Sequence, residues 1–333
     1  MSPGFRPAYH PAAHDSDLRI ALQELRAGRW MSMRNLLEAT TNWAVWTQRT
    51  QVLAAAAAGT DLIDAWRSEE RQSVAAAVMY GRVAVERALR AHREGSRHTQ
   101  ELWQSAWEAC RIAARTAEDD PVPWVCLLAL ARLDEWQQWP EHRTAPPEPM
   151  LPLGPWGLLA QADKRDPFNR EAYHRMLQFL YIRPSTGGRL TEAVNFVHWA
   201  VASAPTGSAL HVLPLYLHVE RYRRRDERRD KALDLHWVSE DATREARRAF
   251  YDWFDHVSPQ ECSLLDLSHL AHGLWGAIQF REAAWVFQAL GPYYTPVPWV
   301  YRGSNPQDTT EAIELFVQAR TRCLASLDGS PGS

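Results

Sequence analysis

Apolar residues recur at intervals of three and four along most of this chain, with polar and charged residues between them. The spacing is clear near the start, at Leu18, Ala21, Leu22 and Leu25, and again at Leu210, Leu213 and Leu217. It places apolar side chains on one face of an α-helix. Because the alternating pattern of a half-buried strand is hard to find, the sequence predicts an all-α protein.

Short breaks between the apolar runs contain residues that end or begin helices. Gly28 separates two such runs near the start of the chain. Residues 258–261 (Ser-Pro-Gln-Glu) combine a serine cap, a proline at the first helical position and a glutamate three residues after the cap. Residues 305–308 (Asn-Pro-Gln-Asp) repeat this signal, and predict a last helix over 309–327.

Two proline-rich segments interrupt the helical pattern. Residues 139–155 contain six prolines and predict an extended loop, and residues 291–306 mix prolines with tyrosine and tryptophan. We expect residues 1–15 and 328–333, at the two ends of the chain, to be disordered. We therefore expect a single helical domain over 16–327, with the two segments as insertions in it.

One pattern recurs at the ends of successive helices: two small or apolar residues four apart, another three later, and a proline five after that. It occurs twice in full, at Ala109, Ala113, Thr116 and Pro121, and at Ala193, Val197, Ala200 and Pro205. A small residue lets two helices approach closely, and the proline ends the second helix of a pair. Pairs of helices repeated along the chain are the expected consequence.

This pattern resembles the tetratricopeptide repeat. The family spacing covers a whole helix pair at Leu267, Leu270, Ala271, Leu274, Ala283, Phe287 and Leu290. It also fits the stretch 173–205, with a four-residue insertion at 185–188. The resemblance is diffuse and covers about residues 17–290, with intervals between the prolines of 46 and 38 residues rather than 34.

The resemblance implies a right-handed superhelical array of antiparallel helical hairpins with a C-terminal capping helix. Such arrays hold a peptide or partner protein along a concave groove, so it implies a protein-interaction scaffold or adaptor without catalysis, cofactor or metal. The groove-facing residues that it implies are His174, Gln178, Tyr181, Tyr216, Glu220, His272 and Trp275.

Composition narrows the range of functions and locations. The chain has 333 residues, is 46% hydrophobic and carries a formal net charge of −3, which does not fit a protein that coats nucleic acid. No basic segment followed by an apolar run opens the chain, and its apolar stretches are far shorter than the roughly 20 residues that span a bilayer. We expect a cytoplasmic protein with no membrane partner.

The four cysteines and sixteen tryptophans have structural interpretations. The cysteines are isolated, and their spacing fits neither a disulfide framework nor a zinc ribbon, so we expect buried, inert thiols.

Large aromatic residues fill the seams of helical arrays, and we expect Trp103, Trp107, Trp124, Trp199 and Trp275 to be core residues of this kind. Trp299, in the second proline-rich segment, either packs over the end of the array or anchors a partner.

Two alternatives to the scaffold remain open. Glu171 and His174 form a Glu-x-x-His, and Asp266 precedes His269 and His272 at helical spacing. Carboxylates and histidines from separate helices build di-iron sites, so this set indicates a helical metalloenzyme. The tract 221–231, with seven basic and three acidic residues, indicates contact with nucleic acid or an acidic partner, although it equally describes a solvated helix end.

Overall fold

The computed structural model describes residues 5–182, 190–226, 235–258, 261–303 and 308–328. Within these ranges the regular structure is helical, and the extended pairing is confined to two isolated bridges, Ala8–Tyr293 and Thr144–Gly154. The predicted all-α class is confirmed. None of the described helices has the length and apolar character needed to cross a membrane. The described residues form two compact units, 14–196 and 5–13 with 197–328.

The first unit contains nine helices and the start of a tenth. In chain order the nine are α1 (Ser16–Arg26), α2 (Met31–Glu38), α3 (Trp43–Ala57), α4 (Leu62–Glu69), α5 (Val74–Arg93), α6 (Thr99–Thr116), α7 (Val122–Ala131), α8 (Trp156–Arg165) and α9 (Arg170–Ile182). The tenth, α10 (Thr191–Ser203), passes into the second unit. Between α7 and α8 runs the predicted proline-rich loop, closed by the Thr144–Gly154 bridge.

The second unit follows from α10 to the end of the described chain. Its helices are α11 (Leu213–Asp226), α12 (Glu240–Asp252), α13 (Leu264–Gly276), α14 (Phe280–Leu290) and α15 (Thr309–Asp328). The last of these confirms the helix predicted over 309–327. The capping signals predicted at 258–261 and 305–308 lie partly outside the described residues. The insertion at 185–188 and the tail after residue 328 lie wholly outside the described residues.

Polar side chains at the helix starts explain several of these boundaries. Asp15, Asn42 and Ser73 precede α1, α3 and α5, and each accepts a hydrogen bond from a backbone N–H in the first turn. These bonds satisfy donors that have no partner inside the helix. Gly28 ends the first helical segment with a φ of 81°, a conformation that glycine adopts without strain.

Helix α7 is the centre of the first unit. It packs against α5, α6, α8 and α9, and nine of its ten residues are buried. Its sequence, VPWVCLLALA, is apolar on all sides, as a helix enclosed by neighbours requires. Nearby, α5 approaches α6 closely at Gly81, where a Cβ would lie 3.4 Å from backbone atoms of Ala109 and Cys110.

The core of the second unit lies among α13, α14, α15 and the segment before α15. Trp299 has no exposed surface, and its ring lies 5.3 Å from Phe316 and 6.1 Å from Phe287. Its indole N–H donates to the Ser268 hydroxyl at 3.0 Å. Trp299 therefore packs within the unit, the first of the two roles that the sequence allows.

The other predicted core residues divide by degree of burial. Trp103 and Trp107 are buried, whereas Trp124, Trp199 and Trp275 are partly exposed. All four cysteines are free and buried, as predicted.

Residues 5–13, which the sequence predicts to be disordered, contact distant parts of the chain. Ala8 donates its N–H to the Pro292 carbonyl at 2.8 Å and accepts from the Tyr294 N–H at 3.0 Å. The Phe5 ring lies 3.9 Å from the Arg320 guanidinium. These contacts join the start of the chain to segments nearly 300 residues later, which is why local composition does not reveal them.

Most helices that are neighbours in the chain pack on one another, and α3 also contacts α9. In the first unit, α1, α3, α5, α7 and α9 also contact each other in succession. In the second, α13 contacts α14 and α14 contacts α15. This order of contacts is compatible with a helical-repeat protein.

Candidate functional site

Three of the predicted partner-binding residues lie on α9 in the first unit. His174 is 8% exposed, and Gln178 and Tyr181 are partly exposed. The Gln178 carbonyl accepts hydrogen bonds from Arg132 and Arg175 at 3.5 and 3.4 Å. The structure thus brings these three residues together on one helix, with much of their surface covered by their own unit.

The other four lie on α11 and α13 in the second unit. The Tyr216 hydroxyl donates to Asp266 at 2.5 Å, and Glu220 forms ion pairs with Arg223 and Arg224 at 2.7 Å. His272 is 1% exposed and accepts from Arg302, whose guanidinium lies 5.0 Å from the Trp275 ring. These four residues are therefore engaged with other side chains of their own unit.

The residues of the metal hypothesis divide between the units. Glu171 and His174 belong to the first unit, whereas Asp266, His269 and His272 belong to the second. Glu171 is held by Arg82 and by Arg175, the latter at 2.8 Å. Among the described residues, no group of three or more histidine, cysteine or acidic side chains could hold a metal ion.

The basic tract 221–231 begins in the last turns of α11. Its residues 227–231 lie outside the described chain. Of those that are described, Arg223 and Arg224 both pair with Glu220, as on a helix with mixed charges.

A groove of about 970 Å³ lies in the first unit. It lies where α2, α4 and α6 end and where α3 and α5 begin. Its lining comprises Arg34, Leu37, Glu38, Thr40, Trp43, Trp46, Glu69, Glu70, Arg71, Gln72, Ser73, Val74, Ala75, Thr116, Ala117, Glu118, Asp119 and Asp120. We call it the 34–120 groove.

The 34–120 groove is acidic. Six carboxylates and two guanidiniums line it. Arg34 lies 2.5 Å from a Glu70 carboxylate oxygen and 3.9 Å from Glu38, so its charge is already matched within the wall. The groove therefore presents an excess of negative charge to anything that enters it.

Two tryptophans from the start of α3 line the same groove. Trp43 is partly exposed, and its ring meets the ring of Trp46 edge to face at 6.4 Å. Trp46 is 7% exposed and donates its indole N–H to a carboxylate oxygen of Asp120 at 2.9 Å. Because this bond fixes Trp46, it also supports the more exposed ring of Trp43.

Burial raises the pKa of Asp120 to about 6. Hydrogen bonds from the Val122 N–H, at 2.7 Å, and from Trp46 oppose this shift. Arg82 on α5 and Arg165 on α8 also lower the pKa through their charges. The shift upward shows that the loss of hydration outweighs these favourable partners.

The stability of the folded protein should depend on pH because of this raised pKa of Asp120. The folded state binds the Asp120 proton more tightly than the unfolded state, whose ordinary pKa is 3.8. The contribution of Asp120 to folding is therefore greatest below pH 4 and is lost as the pH rises through 6, by up to about 3 kcal/mol. We expect the wild type to lose stability relative to Asp120→Asn between pH 4 and 6.5 in urea denaturation. A constant difference across this range would contradict the shift.

The 34–120 groove was not predicted from the sequence. Its residues come from three stretches of the chain that are up to 86 positions apart, and none of them contains a known motif. The available signals were local: two tryptophans three residues apart at the start of α3, and the acidic run Glu118-Asp119-Asp120. Neither indicates that the two stretches meet.

Comparison with known proteins adds no relative. No protein-family model, no curated protein and no solved structure matches this chain.

Proposed function

We propose that the chain is a helical-repeat scaffold that binds a partner protein and has no catalytic activity. The succession of contacts along α1, α3, α5, α7 and α9 supports a superhelical array, because stacked repeats contact mainly their neighbours. Antiparallel hairpins with α15 as the capping helix complete the proposed architecture.

The observation that carries this proposal is the 34–120 groove. Five helices contribute to it, and it combines exposed carboxylates with the partly exposed ring of Trp43. Its volume of about 970 Å³ is at the upper end for small-molecule pockets, and a long lining drawn from several connections suits an extended polypeptide segment. Tryptophan is enriched among the residues that dominate binding energy at protein interfaces.

This site differs from the predicted groove-facing set. His174 and His272 are buried, so the proposal places the main contact with the partner at the 34–120 groove rather than at those residues. The predicted set remains a secondary candidate surface through Gln178, Tyr181 and Trp275, which are partly exposed.

Removing the Trp43 side chain should abolish capture of the partner. We expect tagged Trp43→Ala protein, purified from the native cells, to retain its partner at least tenfold less than the wild type, because loss of an interface tryptophan costs about 2 kcal/mol or more. Quantitative mass spectrometry of the captured proteins measures this. Trp136→Ala is the matched control, since Trp136 lies in the same unit, is 76% exposed and lies outside the groove. Equal capture by the Trp43→Ala variant would refute the groove as the binding site.

A further inference from the structure

We propose that the 34–120 groove recognises an extended segment of its partner that carries arginine or lysine side chains. This inference rests on the proposed function and specifies the chemistry of the ligand. Three observations carry it: the carboxylates that have no ion pair, the position of the partly exposed Trp43, and the distribution of charge around the groove.

Three carboxylates of the groove are available to a ligand. Glu69, Glu118 and Asp119 are exposed, and none of them forms an ion pair within the part of the chain that the structure describes. By contrast, Glu70 is engaged twice, by Arg34 at 2.5 Å and by the Trp66 indole N–H at 2.8 Å. The wall therefore divides into a neutralised part around Arg34 and a part with three carboxylates that form no ion pair and one further guanidinium, that of Arg71.

The aromatic surface of the groove suits the same ligand. A guanidinium or ammonium group is attracted to the face of an indole ring, and the attraction is stronger where water is excluded. Trp43 offers such a ring, in edge-to-face contact with Trp46. Arginine and lysine also carry apolar stems, which can cover the exposed Val74 and the adjoining apolar wall.

The spread of the carboxylates favours a polypeptide over a single metal ion. Glu69 ends α4, whereas Glu118 and Asp119 belong to the connection between α6 and α7. A metal ion needs several ligands converging on one point, and no such group occurs among the described residues. Separate carboxylates can instead meet separate basic side chains along an extended chain. The same negative charge repels the phosphates of nucleic acid.

Binding of a basic peptide to the full-length protein tests this inference. The probe is a fluorescein-labelled decapeptide of alternating glycine and arginine, followed by fluorescence anisotropy. The double variant Glu118→Lys/Asp119→Lys should weaken binding at least tenfold, and wild-type binding should weaken as salt is raised, because salt screens exposed charges. The same peptide with glutamate in place of arginine should not bind.

A charge-matched control separates the groove from net charge. Glu94 and Glu101 are exposed and lie at the other ends of α5 and α6, about 30 Å from the groove for a helix of twenty residues. Glu94→Lys/Glu101→Lys should leave binding almost unchanged. Equal losses in the two double variants, or no binding by the wild type, would overturn the inference.

The test also distinguishes this inference from the proposed function. If the native partner is lost on Trp43→Ala but retained by the Glu118→Lys/Asp119→Lys protein, the groove binds a partner whose recognition does not depend on basic residues. The proposed function would then stand and the inference would fail. Circular dichroism of each variant verifies that it is folded.

Discussion

Replacing Glu171 with alanine should lower the free energy of unfolding by about 3–5 kcal/mol, because it leaves the buried Arg82 without its counter-charge. The Arg82 and Glu171 side chains are only 2% and 5% exposed and form an ion pair between α5 and α9. Urea denaturation, with hydrogen exchange of α5 and α9 amides to assign the loss to the first unit, measures the effect.

The pKa values of the pair explain the size of this effect. Burial by itself would raise the pKa of Glu171, but the charges of Arg82 and Arg175 hold it below its ordinary value. Burial would likewise lower the pKa of Arg82, and the attraction of Glu171 reverses the shift. The attraction between the two charges, together with that of Arg175 for Glu171, thus offsets the cost of burying them.

Two controls separate lost charge compensation from lost volume. The double variant Arg82→Met/Glu171→Leu should recover much of the stability, since apolar residues of similar size often replace buried ion pairs without loss. Glu108→Ala removes an exposed ion pair with Arg115 and should change stability by less than about 1 kcal/mol. A loss at Glu171 no larger than that at Glu108 would show that the buried pair contributes little.

Replacing Trp299 with alanine should destabilise the second unit by about 3–5 kcal/mol, the range for truncating a buried aromatic residue. The indole is fully enclosed, and its removal leaves a cavity bordered by Phe316 and Phe287 and a Ser268 hydroxyl without its indole donor. Urea denaturation combined with hydrogen exchange of α13 and α15 amides locates the loss.

Trp285→Ala is the matched control for this substitution. Trp285 lies on α14 in the same unit and is 50% exposed, so its removal creates no enclosed cavity. We expect it to lower stability by less than about 1 kcal/mol. If the two tryptophan variants were equally destabilised, burial of Trp299 would not be what stabilises the segment before α15.

Local physical rules made the helices predictable. The spacing of Leu18, Ala21, Leu22 and Leu25 predicts α1, and all four residues are buried on one of its faces. Gly28 ends that segment for a reason intrinsic to glycine. The predicted loop at 139–155 follows equally directly from the inability of proline to continue a helix.

Features formed by distant residues were not predictable in this way. Ala8 forms its hydrogen bonds with residues 292 and 294, and Arg82, the partner of Glu171, is 89 positions away from it. The Glu-x-x-His at 171–174 predicts metal ligands. Spacing on one helix does not reveal that an arginine from another helix forms an ion pair with the glutamate. The groove is hidden from the sequence for the same reason.

Each of the two units contains two of the four thiols, so alkylation of the thiols can be followed for each unit separately. Cys110 and Cys126 belong to the first unit, whereas Cys262 and Cys323 belong to the second. Burial raises the pKa of Cys323 to about 12, so in the native protein it is not the reactive thiolate. Modification by a water-soluble alkylating reagent therefore requires local opening of the chain, and the order in which the two pairs are labelled gives the relative opening rates of the two units.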